Sequence, residues 1–501
     1  MRKSVRDSSS ASASPLDGSL KASLKVSLEQ EVKLDSGPSF TIPSALGKPL
    51  PTRRFTSKYY DTKDYRLAYA GITLRRRTEL GTGVWQLKLP VAGARRELEI
   101  AGPPGLPPVP LQELLLAHLR KEPLMEIASL RTQRKGVRAT NRGAGVADIV
   151  LDQVNVLDGR RAVRRFHEIE VELVKGEASI LADLEKALRK AGAQNHDGRP
   201  KLFRAVDLPA PSASKAPDYD APPNDHLSYR LMRQVNALLA YDPGTRLGGD
   251  SEQLHQMRVA TRRLRAVLRA ARPLVDPTWA EPIRSELTWL GDRLGQARDL
   301  DVQIASIRRD AKALDSHERL PLTRFVKTLE FERQRRQEDL ANVLRSERYL
   351  AFINRMVDAA KAPRLIDTKV TLKDIAAKEF KKLRKAFQRL DAVPTDPELH
   401  RVRIKAKRAR YAAELAKSAV GKGAKKYIRC VEALQDLLGK HQDAVVGEQR
   451  VRALFAESTG QRAAFAAGRL VERQRQRRDH ARASLWSLWK KVDKRGRKMW
   501  K

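Results

Sequence analysis

The chain has 501 residues, with 99 lysines and arginines against 60 aspartates and glutamates, and a formal net charge of +39. So basic a composition predicts a polyanionic partner, such as nucleic acid, an anionic membrane surface or polyphosphate. The one cysteine, Cys430, excludes an internal disulfide framework. No stretch approaches the ~18 apolar residues that a membrane span requires.

Residues 1–21 are rich in serine and alanine and poor in large apolar side chains, so we expect a disordered tail. They contain cations but no apolar segment of the kind that defines a secretory signal. Together with the low cysteine content, this predicts a protein of a reducing, cytoplasmic compartment.

Residues 22–207 alternate charged and apolar side chains between Gly and Pro breaks, which is typical of β-strands. In SLEQEVKL, the period of two places Glu29, Glu31 and Lys33 on one face of a strand. Other strands gather charges on one face in the same way: Glu168, Glu170 and Glu172; Arg75 and Arg77; Gln86 and Lys88; Arg95, Glu97 and Glu99; Asp148 and Asp152.

For any single strand, this pattern indicates a sheet face exposed to water. Its repetition over several strands favours a closed antiparallel barrel, with both signs of charge in the lumen and apolar residues facing outward under helices. Carboxylates suit hard divalent cations, and Arg and Lys suit phosphate oxygens. The pattern therefore predicts a site for a metal-bound phosphate chain.

Residues 208–224 contain five prolines among small polar residues and read as an extended linker. The chain beyond is rich in Ala, Leu and Arg with helical spacing, so we expect an all-α domain over residues 225–495. A weaker break at Ala362-Pro363 divides it into two repeats, about 225–362 and 363–495.

The helical region contains a duplication. HQMRVATRRLR begins at residue 255 and HRVRIKAKRAR at residue 400, and a second pair of similar segments, from Leu290 and Leu434, lies at nearly the same spacing. At ~100° per residue, each basic segment forms a cationic stripe along one helix face. The stripes, predicted to bind polyphosphate, consist of His255, Arg258, Arg262, Arg265, His400, Arg403, Lys407 and Arg410.

The strand motifs resemble the CYTH, or triphosphate tunnel metalloenzyme, superfamily. Its E-x-E-x-K signature matches Glu29, Glu31 and Lys33. Further segments that look like this family follow in the expected order: YYDT, GITLRRR, WQLKLP, RTQR, EIEVEL and PKLFRAV. One departure is Pro200, where the family often has serine.

This resemblance implies an α+β chain that begins with an eight-stranded antiparallel tunnel, binds inorganic triphosphate and requires Mg²⁺ or Mn²⁺. It implies a catalytic set of Lys33, Glu29 and Glu31, in which Lys33 either assists the attacking water or only binds phosphate. The implied metal ligands are Glu29, Glu31, Glu170, Glu172 and Asp152, with Glu168 in support. The implied phosphate-binding residues are Arg75, Arg77, Lys88, Arg134, Lys201 and Arg204, together with Lys33.

The helical repeats resemble the CHAD domain, a duplicated helical bundle often fused after a CYTH domain and similar to polyphosphate binders. The second stripe departs from the first, since Glu414 stands where the first repeat has Arg269. The resemblance implies a polyphosphate-binding domain, and from it we hypothesise an association with polyphosphate granules. The basic C-terminal segment with three tryptophans is predicted to close this bundle, with contact to an anionic surface as the alternative.

The leading functional hypothesis is therefore metal-dependent hydrolysis of inorganic triphosphate beside a polyphosphate-binding domain. One alternative is a catalytically weak polyphosphate-binding scaffold; others are an adenylyl cyclase or a thiamine triphosphatase of the same superfamily. Nucleic acid is not the expected partner, because aromatics make up only 5% of the chain and do not interleave with the basic stripes. No membrane partner is expected, and the oligomeric state stays open.

Overall fold

The computed structural model describes residues 24–91, 93–141, 144–209, 215–312, 314–455 and 460–500. The predicted disordered tail lies outside these residues. The chain divides into two compact units with their boundary between residues 209 and 215, inside the proline-rich segment predicted as a linker. Within the described ranges, no helix has both the length and the apolar composition needed to cross a membrane.

The first unit is built on one antiparallel sheet of ten strands. Its strands are β1 (Lys25–Glu29), β2 (Glu31–Asp35), β3 (Lys48–Asp61), β4 (Thr73–Glu79), β5 (Thr82–Val91), β6 (Ala94–Ala101), β7 (Met125–Asn141), β8 (Ala144–Asp158), β9 (Arg161–Leu173) and β10 (Gln194–Asn195). Its helices are α1 (Arg66–Tyr69), α2 (Val109–Leu119), α3 (Ser179–Lys190) and α4 (Lys201–Val206), with a short 3₁₀ turn at Ser44–Leu46.

The sheet closes because its first strand is split. The strand order is β1-β6-β5-β4-β3-β7-β8-β9-β2-β10, so β1 and β2 lie near opposite edges, yet only Gln30 separates them in sequence. One continuous segment, residues 25–35, therefore pairs with β6 at one end and with β9 at the other. Counted as one strand, it gives the predicted eight-stranded antiparallel tunnel, to which the two-residue β10 is added.

Apolar residues lie on the outside of the tunnel, under helices, as the alternation predicts. On one side Leu181 and Leu188 of α3 pack against a buried cluster that includes Leu34, Ile149 and Ile169. On another side, Leu202 and Phe203 of α4 join a second buried cluster. These clusters bury the outward faces of the strands, which directs the charged alternate residues into the lumen.

The second unit is helical in its described part. The first repeat contains α5 (Pro223–Leu247), α6 (Ser251–Ala270), α7 (Pro277–Ala311), α8 (Ser316–Arg345) and α9 (Glu347–Lys361). The second contains α10 (Leu372–Phe387), α11 (Asp396–Val420), α12 (Lys422–Phe455), α13 (Gln461–Ala483) and α14 (Leu485–Met499). Helices α7 and α12, and likewise α8 and α13, begin 145 positions apart, which agrees with the spacing of the repeated motifs.

The two helices that carry the cationic stripes, α6 and α11, contact each other. Each has a side-chain cap at its start. Asp250 accepts a hydrogen bond from the backbone N–H of Glu252 before α6, and Thr395 and Glu398 form a capping box at the start of α11. The duplication thus brings the two stripes together along one helix pair.

The C-terminal tryptophans pack inside the helical unit. The Trp489 ring stacks on Phe387 of α10 with centroids 3.9 Å apart, and Trp486 meets the same ring edge-on at 6.1 Å. Phe387 is 2% exposed. The structure therefore agrees with the prediction that the last helix closes the bundle.

Replacing Phe387 with alanine should destabilise the helical unit by about 3–5 kcal/mol, because the substitution leaves a cavity beneath two tryptophans. Phe465→Ala is the matched control, since Phe465 is 63% exposed and should change the free energy of unfolding by less than about 0.5 kcal/mol. Urea unfolding of the full-length chain measures both values. Equal effects of the two substitutions would contradict the packing described.

Candidate active site

One cavity in the tunnel gathers most of the predicted catalytic, metal-binding and phosphate-binding residues. The space between its lining residues, including the open mouth, is about 670 Å³. Its basic lining residues are Lys33, Arg75, Arg77, Lys88, Arg95, Arg134 and Lys201. Its acidic lining residues are Glu29, Glu31, Glu97, Glu99, Glu170 and Glu172. The lumen is therefore densely charged and close to neutral overall.

Strand register brings these residues together. Glu31 pairs with Glu172, and Lys33 with Glu170, across β2 and β9. Because directly paired residues of antiparallel strands point to the same face, all four side chains enter the lumen. The second half of the E-x-E-x-K signature, on β2, therefore pairs with the EIEVEL segment on β9.

Lys33 lies among three carboxylates. Its Nζ is 2.6 Å from Glu170 Oε1, 3.1 Å from Glu168 Oε1 and 3.5 Å from Glu31 Oε1. Burial alone would lower the pKa of Lys33, but the three carboxylates outweigh it and raise that pKa well above its ordinary value. Lys33 is therefore a permanent cation at neutral pH, which favours phosphate binding over proton abstraction from water.

Glu170 has three cationic partners in the tunnel. Lys33 and Lys201 lie 2.6 and 2.9 Å from Oε1, and Arg134 donates to Oε2 at 2.6 Å. Burial opposes ionisation, but these cations hold the pKa of Glu170 well below its ordinary value. Glu29 is paired in a simpler way, because Lys88 Nζ donates to both of its oxygens at 2.6 and 2.7 Å.

Glu172 and Glu31 have a different environment. Among the described residues, Glu172 has no cationic partner within 4.0 Å. Although part of the Glu172 side chain is exposed, desolvation of the carboxyl inside the tunnel and the nearby charge of Glu29 raise the pKa of Glu172 to about 7. Burial likewise raises the pKa of Glu31, although Lys33 opposes the shift. These carboxyls face one another with less compensating positive charge than Glu170 has.

Three lumen cations also lack a carboxylate partner within 4.0 Å among the described residues: Arg75, Arg77 and Arg95. Arg75 donates to Gln86 Oε1 at 2.8 Å and to the Tyr59 hydroxyl at 3.3 Å. Burial and the neighbouring charges of Arg75 and Arg53 lower the pKa of Arg77. An anion in the cavity would relieve this repulsion.

Three residues that the resemblance assigned to the site, Asp152, Glu168 and Arg204, lie beside the cavity and do not line it. Asp152 is fully buried, and its two oxygens accept from Arg134 at 2.7 and 2.6 Å and from Lys201 at 2.6 Å. In this arrangement Asp152 orients two cations. Arg204 donates to Asp35 at 2.6 Å and lies over the ring of Phe166, 4.4 Å from its centroid, so it braces α4 against the tunnel wall.

Several lining residues were not assigned to the site from the sequence: Tyr59, Thr73, Gln86, Arg95, Glu97 and Glu99. The period-two pattern already placed Gln86 on the face of Lys88 and grouped Arg95 with the two glutamates. For Gln86, Arg95, Glu97 and Glu99, a shared strand face with charged residues was therefore the sequence signal that could have assigned them to the site.

The donors present are chemically suited to a divalent cation, since Glu29, Glu31 and Glu172 offer only carboxylate oxygens. The described residues do not bring three His, Cys, Asp or Glu side chains into one ready-made metal cluster. Glu31 and Glu172 nevertheless face each other, and both have raised pKa values. A bound cation would reduce the repulsion between their ionised carboxylates. The residues therefore fit a hard divalent cation.

The helical unit forms a second cationic site, at the α6–α11 contact. Arg258 pairs with Asp299 at 3.2 Å, while the buried Nε of Arg403 has no hydrogen-bond partner among the described atoms. Burial, reinforced by the charges of Arg403 and Arg262, lowers the pKa of Lys407 to about 8. Cations of the α6 stripe therefore act electrostatically on Lys407 of the α11 stripe.

The remaining stripe residues are placed differently. His400 Nδ1 lies 2.7 Å from Gln442 Oε1, and burial together with the charge of Arg298 lowers the pKa of His255. Arg265 is half-buried. Arg410 is 8% exposed and pairs with Glu414 at 2.7 Å and with Glu432 at 2.9 Å, so its guanidinium is neutralised within the fold. Glu414, which occupies the position of Arg269 in the second stripe, is thus one of the two partners of Arg410.

A charged β tunnel followed by a duplicated, basic helical bundle is a two-domain architecture with known relatives. Family models match a CYTH domain at residues 28–201 and a CHAD domain at residues 230–452. The chain is 30% identical to the uncharacterized protein Rv2226 of Mycobacterium tuberculosis, over 94% of this chain and 97% of that protein. The chain therefore belongs to the family of proteins that join a CYTH domain to a CHAD domain.

Solved structures resemble each half. The CHAD domain of the plant Ricinus communis is 28% identical, with a TM-score of 0.45, and covers 55% of this chain and 94% of its own. HpAC1 from Hippeastrum, whose structure is reported with a dominant triphosphatase activity, is 19% identical. Its TM-score is 0.24, and the match covers 37% of this chain and 98% of that one.

The raised pKa of Glu172 predicts a pH dependence of stability. A carboxyl whose folded pKa exceeds its ordinary 4.5 stabilises the fold fully below that value and loses this contribution as pH rises through about 7. In EDTA, the wild type should therefore lose thermal stability relative to Glu172→Gln between pH 5 and 8. Melting curves of both proteins across this range measure the difference.

Glu177→Gln, at an exposed position four residues beyond β9, serves as the control and should follow the wild-type curve at every pH. Parallel curves for the wild type and Glu172→Gln would show that Glu172 does not titrate in this range.

Proposed function

We propose that the tunnel hydrolyses inorganic triphosphate to diphosphate and phosphate with the help of Mg²⁺ or Mn²⁺. The observation that carries this proposal is the set of unpaired cations in a lumen whose other cations are neutralised internally. Arg75 and Arg77 project from one strand into the cavity, and neither has a carboxylate partner among the described residues. Guanidinium groups recognise phosphate oxygens through paired, charge-assisted hydrogen bonds.

The internal ion pairs explain how one cavity can hold both an anionic substrate and a cation. Lys88 neutralises Glu29, and Lys33, Arg134 and Lys201 neutralise Glu170 while the cavity holds no substrate. When triphosphate enters, these cations turn to phosphate oxygens and their carboxylates become free. Exchange of partners avoids leaving either sign uncompensated in a buried site, which would be far more costly than the pairs themselves.

Glu29, Glu31 and Glu172 would hold the divalent cation, with Glu170 contributing once its own partners turn to phosphate. The bound cation supplies positive charge that offsets phosphate charge and makes nearby water more acidic. The CYTH match supports this requirement for Mg²⁺ or Mn²⁺.

The side chains of the tunnel then act by position and charge. Lys33 and Arg134 remain protonated and stabilise the terminal phosphoryl group as the bond between its phosphorus and the bridging oxygen breaks. Arg75 and Arg77 hold the departing diphosphate. The oxygen of water forms the new bond to phosphorus, and its proton passes to solvent, so no side-chain nucleophile is required.

Inorganic triphosphate is favoured over larger substrates because the described lining is almost wholly charged or polar. Tyr59 is its one aromatic member among the described residues, and its hydroxyl already accepts from Arg75. ATP and thiamine triphosphate would each need an apolar surface for a ring. Cyclic AMP formation or preferential cleavage of thiamine triphosphate would assign the tunnel to one of those alternatives.

Neutralising Arg75 and Arg77 together as glutamines should reduce kcat/KM for triphosphate at least about a hundredfold, since each charge-assisted bond contributes roughly 1.5–3 kcal/mol. Arg76→Gln is the matched control. Arg76 lies on the same strand but bonds Gly102 and Thr78 outside the lumen, so its activity should stay within about threefold of wild type. Phosphate release from triphosphate with Mg²⁺, Mn²⁺ or EDTA measures these values.

No release by the wild type with any metal would refute the proposed hydrolysis and favour the scaffold alternative. An active Arg75→Gln/Arg77→Gln variant would instead refute the assigned binding mode.

We further propose that the α6–α11 surface binds polyphosphate. Support comes from the shared field of Arg258, Arg262, Arg403 and Lys407, and from the buried Arg403 Nε without a partner among the described atoms. Linear polyphosphate is a uniform chain of charge, so its binding does not require base stacking.

Changing Arg258, Arg262 and Arg403 to glutamine should weaken polyphosphate binding and flatten its dependence on salt, because fewer counterions are released. The control removes the same charge at Lys490, Lys491 and Lys494, which lie exposed on α14. Fluorescence anisotropy with labelled polyphosphate, repeated across salt concentrations, compares the two triple variants. Equal losses in both would indicate attraction by net charge alone.

A further inference from the structure

His196 lies in the loop between β10 and α4, next to Glu168 of β9. Its side chain is 6% exposed, and its Nε2 lies 3.4 Å from Glu168 Oε2. His196 does not line the cavity, so its contribution must pass through Glu168. The sequence pattern gave no sign of it, since a short loop has no strand or helix periodicity.

The ring is held in one tautomer by its backbone contact. The N–H of Gly198 donates to His196 Nδ1 at 2.9 Å, so Nδ1 carries a lone pair and the ring proton lies on Nε2. Asp197 Oδ1 is 3.9 Å from Nδ1, but it accepts from the backbone N–H of Arg199 at 2.8 Å. Nε2 therefore carries the proton that the ring donates to Glu168.

Glu168 in turn joins this loop to the tunnel. It is fully buried, with Lys33 Nζ 3.1 Å and Lys201 Nζ 3.6 Å from Oε1, and Arg204 Nη1 3.6 Å from Oε2. Burial opposes its ionisation, but the charge of Lys33 and the other contacts hold the pKa of Glu168 at about 2. Glu168 is therefore one of the carboxylates that position the Lys33 ammonium, together with Glu170.

We propose that His196 is a positioning residue for phosphoryl transfer: it fixes the Glu168 carboxylate, and Glu168 holds Lys33 against the reacting phosphate. This inference rests on the proposed triphosphate hydrolysis. Loss of the Nε2 donor lets Glu168 rotate and Lys33 follow it. Arg75 and Arg77 do not contact His196, so substrate binding persists while transition-state stabilisation declines.

Kinetics of three variants test the proposal. His196→Leu removes the donor and should lower kcat about tenfold, with KM within twofold of wild type. His196→Gln keeps an N–H donor near the position of Nε2 and should recover most of kcat. The control is His167→Leu. His167 precedes Glu168 on β9 and points to the opposite face of that strand, so this variant should match the wild type. A rise in KM alone, or no recovery with glutamine, would overturn the positioning role.

Two readouts do not depend on activity. Long-range ¹H–¹⁵N spectra of histidine-labelled protein should show the His196 ring proton on Nε2, whereas a proton on Nδ1 would overturn the inference. Crystal structures should show Lys33 Nζ displaced from Glu168 in His196→Leu and in place in His196→Gln. If the wild type released no phosphate, hydrolysis would fail as the function, while an unmoved Lys33 in His196→Leu would refute the positioning itself.

Discussion

The structure depends on one electrostatic constraint: a closed barrel encloses charges of both signs, and most of them have a partner of opposite sign. Desolvation of a lone carboxylate or ammonium in such a lumen costs several kcal/mol, so a stable fold requires pairs such as Lys88–Glu29 and Arg134–Asp152. The same pairs are the groups that a metal-bound phosphate chain would separate and use. If the proposed function holds, the stability of the tunnel and its affinity for the ligand come from the same residues.

The helical domain handles its positive charge in another way. Its stripes face a partly solvated surface between α6 and α11, where water and salt screen the repulsion between cations more than they can in a closed lumen. Where a stripe residue is buried, as at Arg410, the fold supplies Glu414 and Glu432 as partners. The two domains thus present cations under different dielectric conditions, and we expect anion binding to be selective in the enclosed lumen and dependent on salt at the open helical surface.

The sequence predicted the strand faces well because alternation is a local property. Glu31, Lys33 and Glu170 enter one lumen, and the apolar residues between them face the covering helix, as the period of two requires. Alternation could not predict that the first strand is split at Gln30, because the split arises from its pairing with two different strands, β6 and β9. The helical repeats were likewise visible as a constant spacing, but the contact between their stripes was not.

Site predictions were less complete where tertiary packing decides a residue's neighbours. Asp152 shares the correct strand face, yet Arg134 and Lys201 occupy both of its oxygens. His196 has no pattern to reveal it, because only the fold brings its loop to Glu168. Sequence alternation specifies which way a side chain points, whereas the partner it meets depends on the closure of the barrel.

The most direct test of the account is a crystal structure of the full-length protein with triphosphate and Mn²⁺, in which anomalous scattering locates the metal. The account predicts triphosphate against Arg75 and Arg77, Mn²⁺ among Glu29, Glu31 and Glu172, and Lys88 turned from Glu29 to a phosphate oxygen. Triphosphate bound outside the tunnel, or bound inside with the Lys88–Glu29 and Lys33–Glu170 pairs intact, would contradict it.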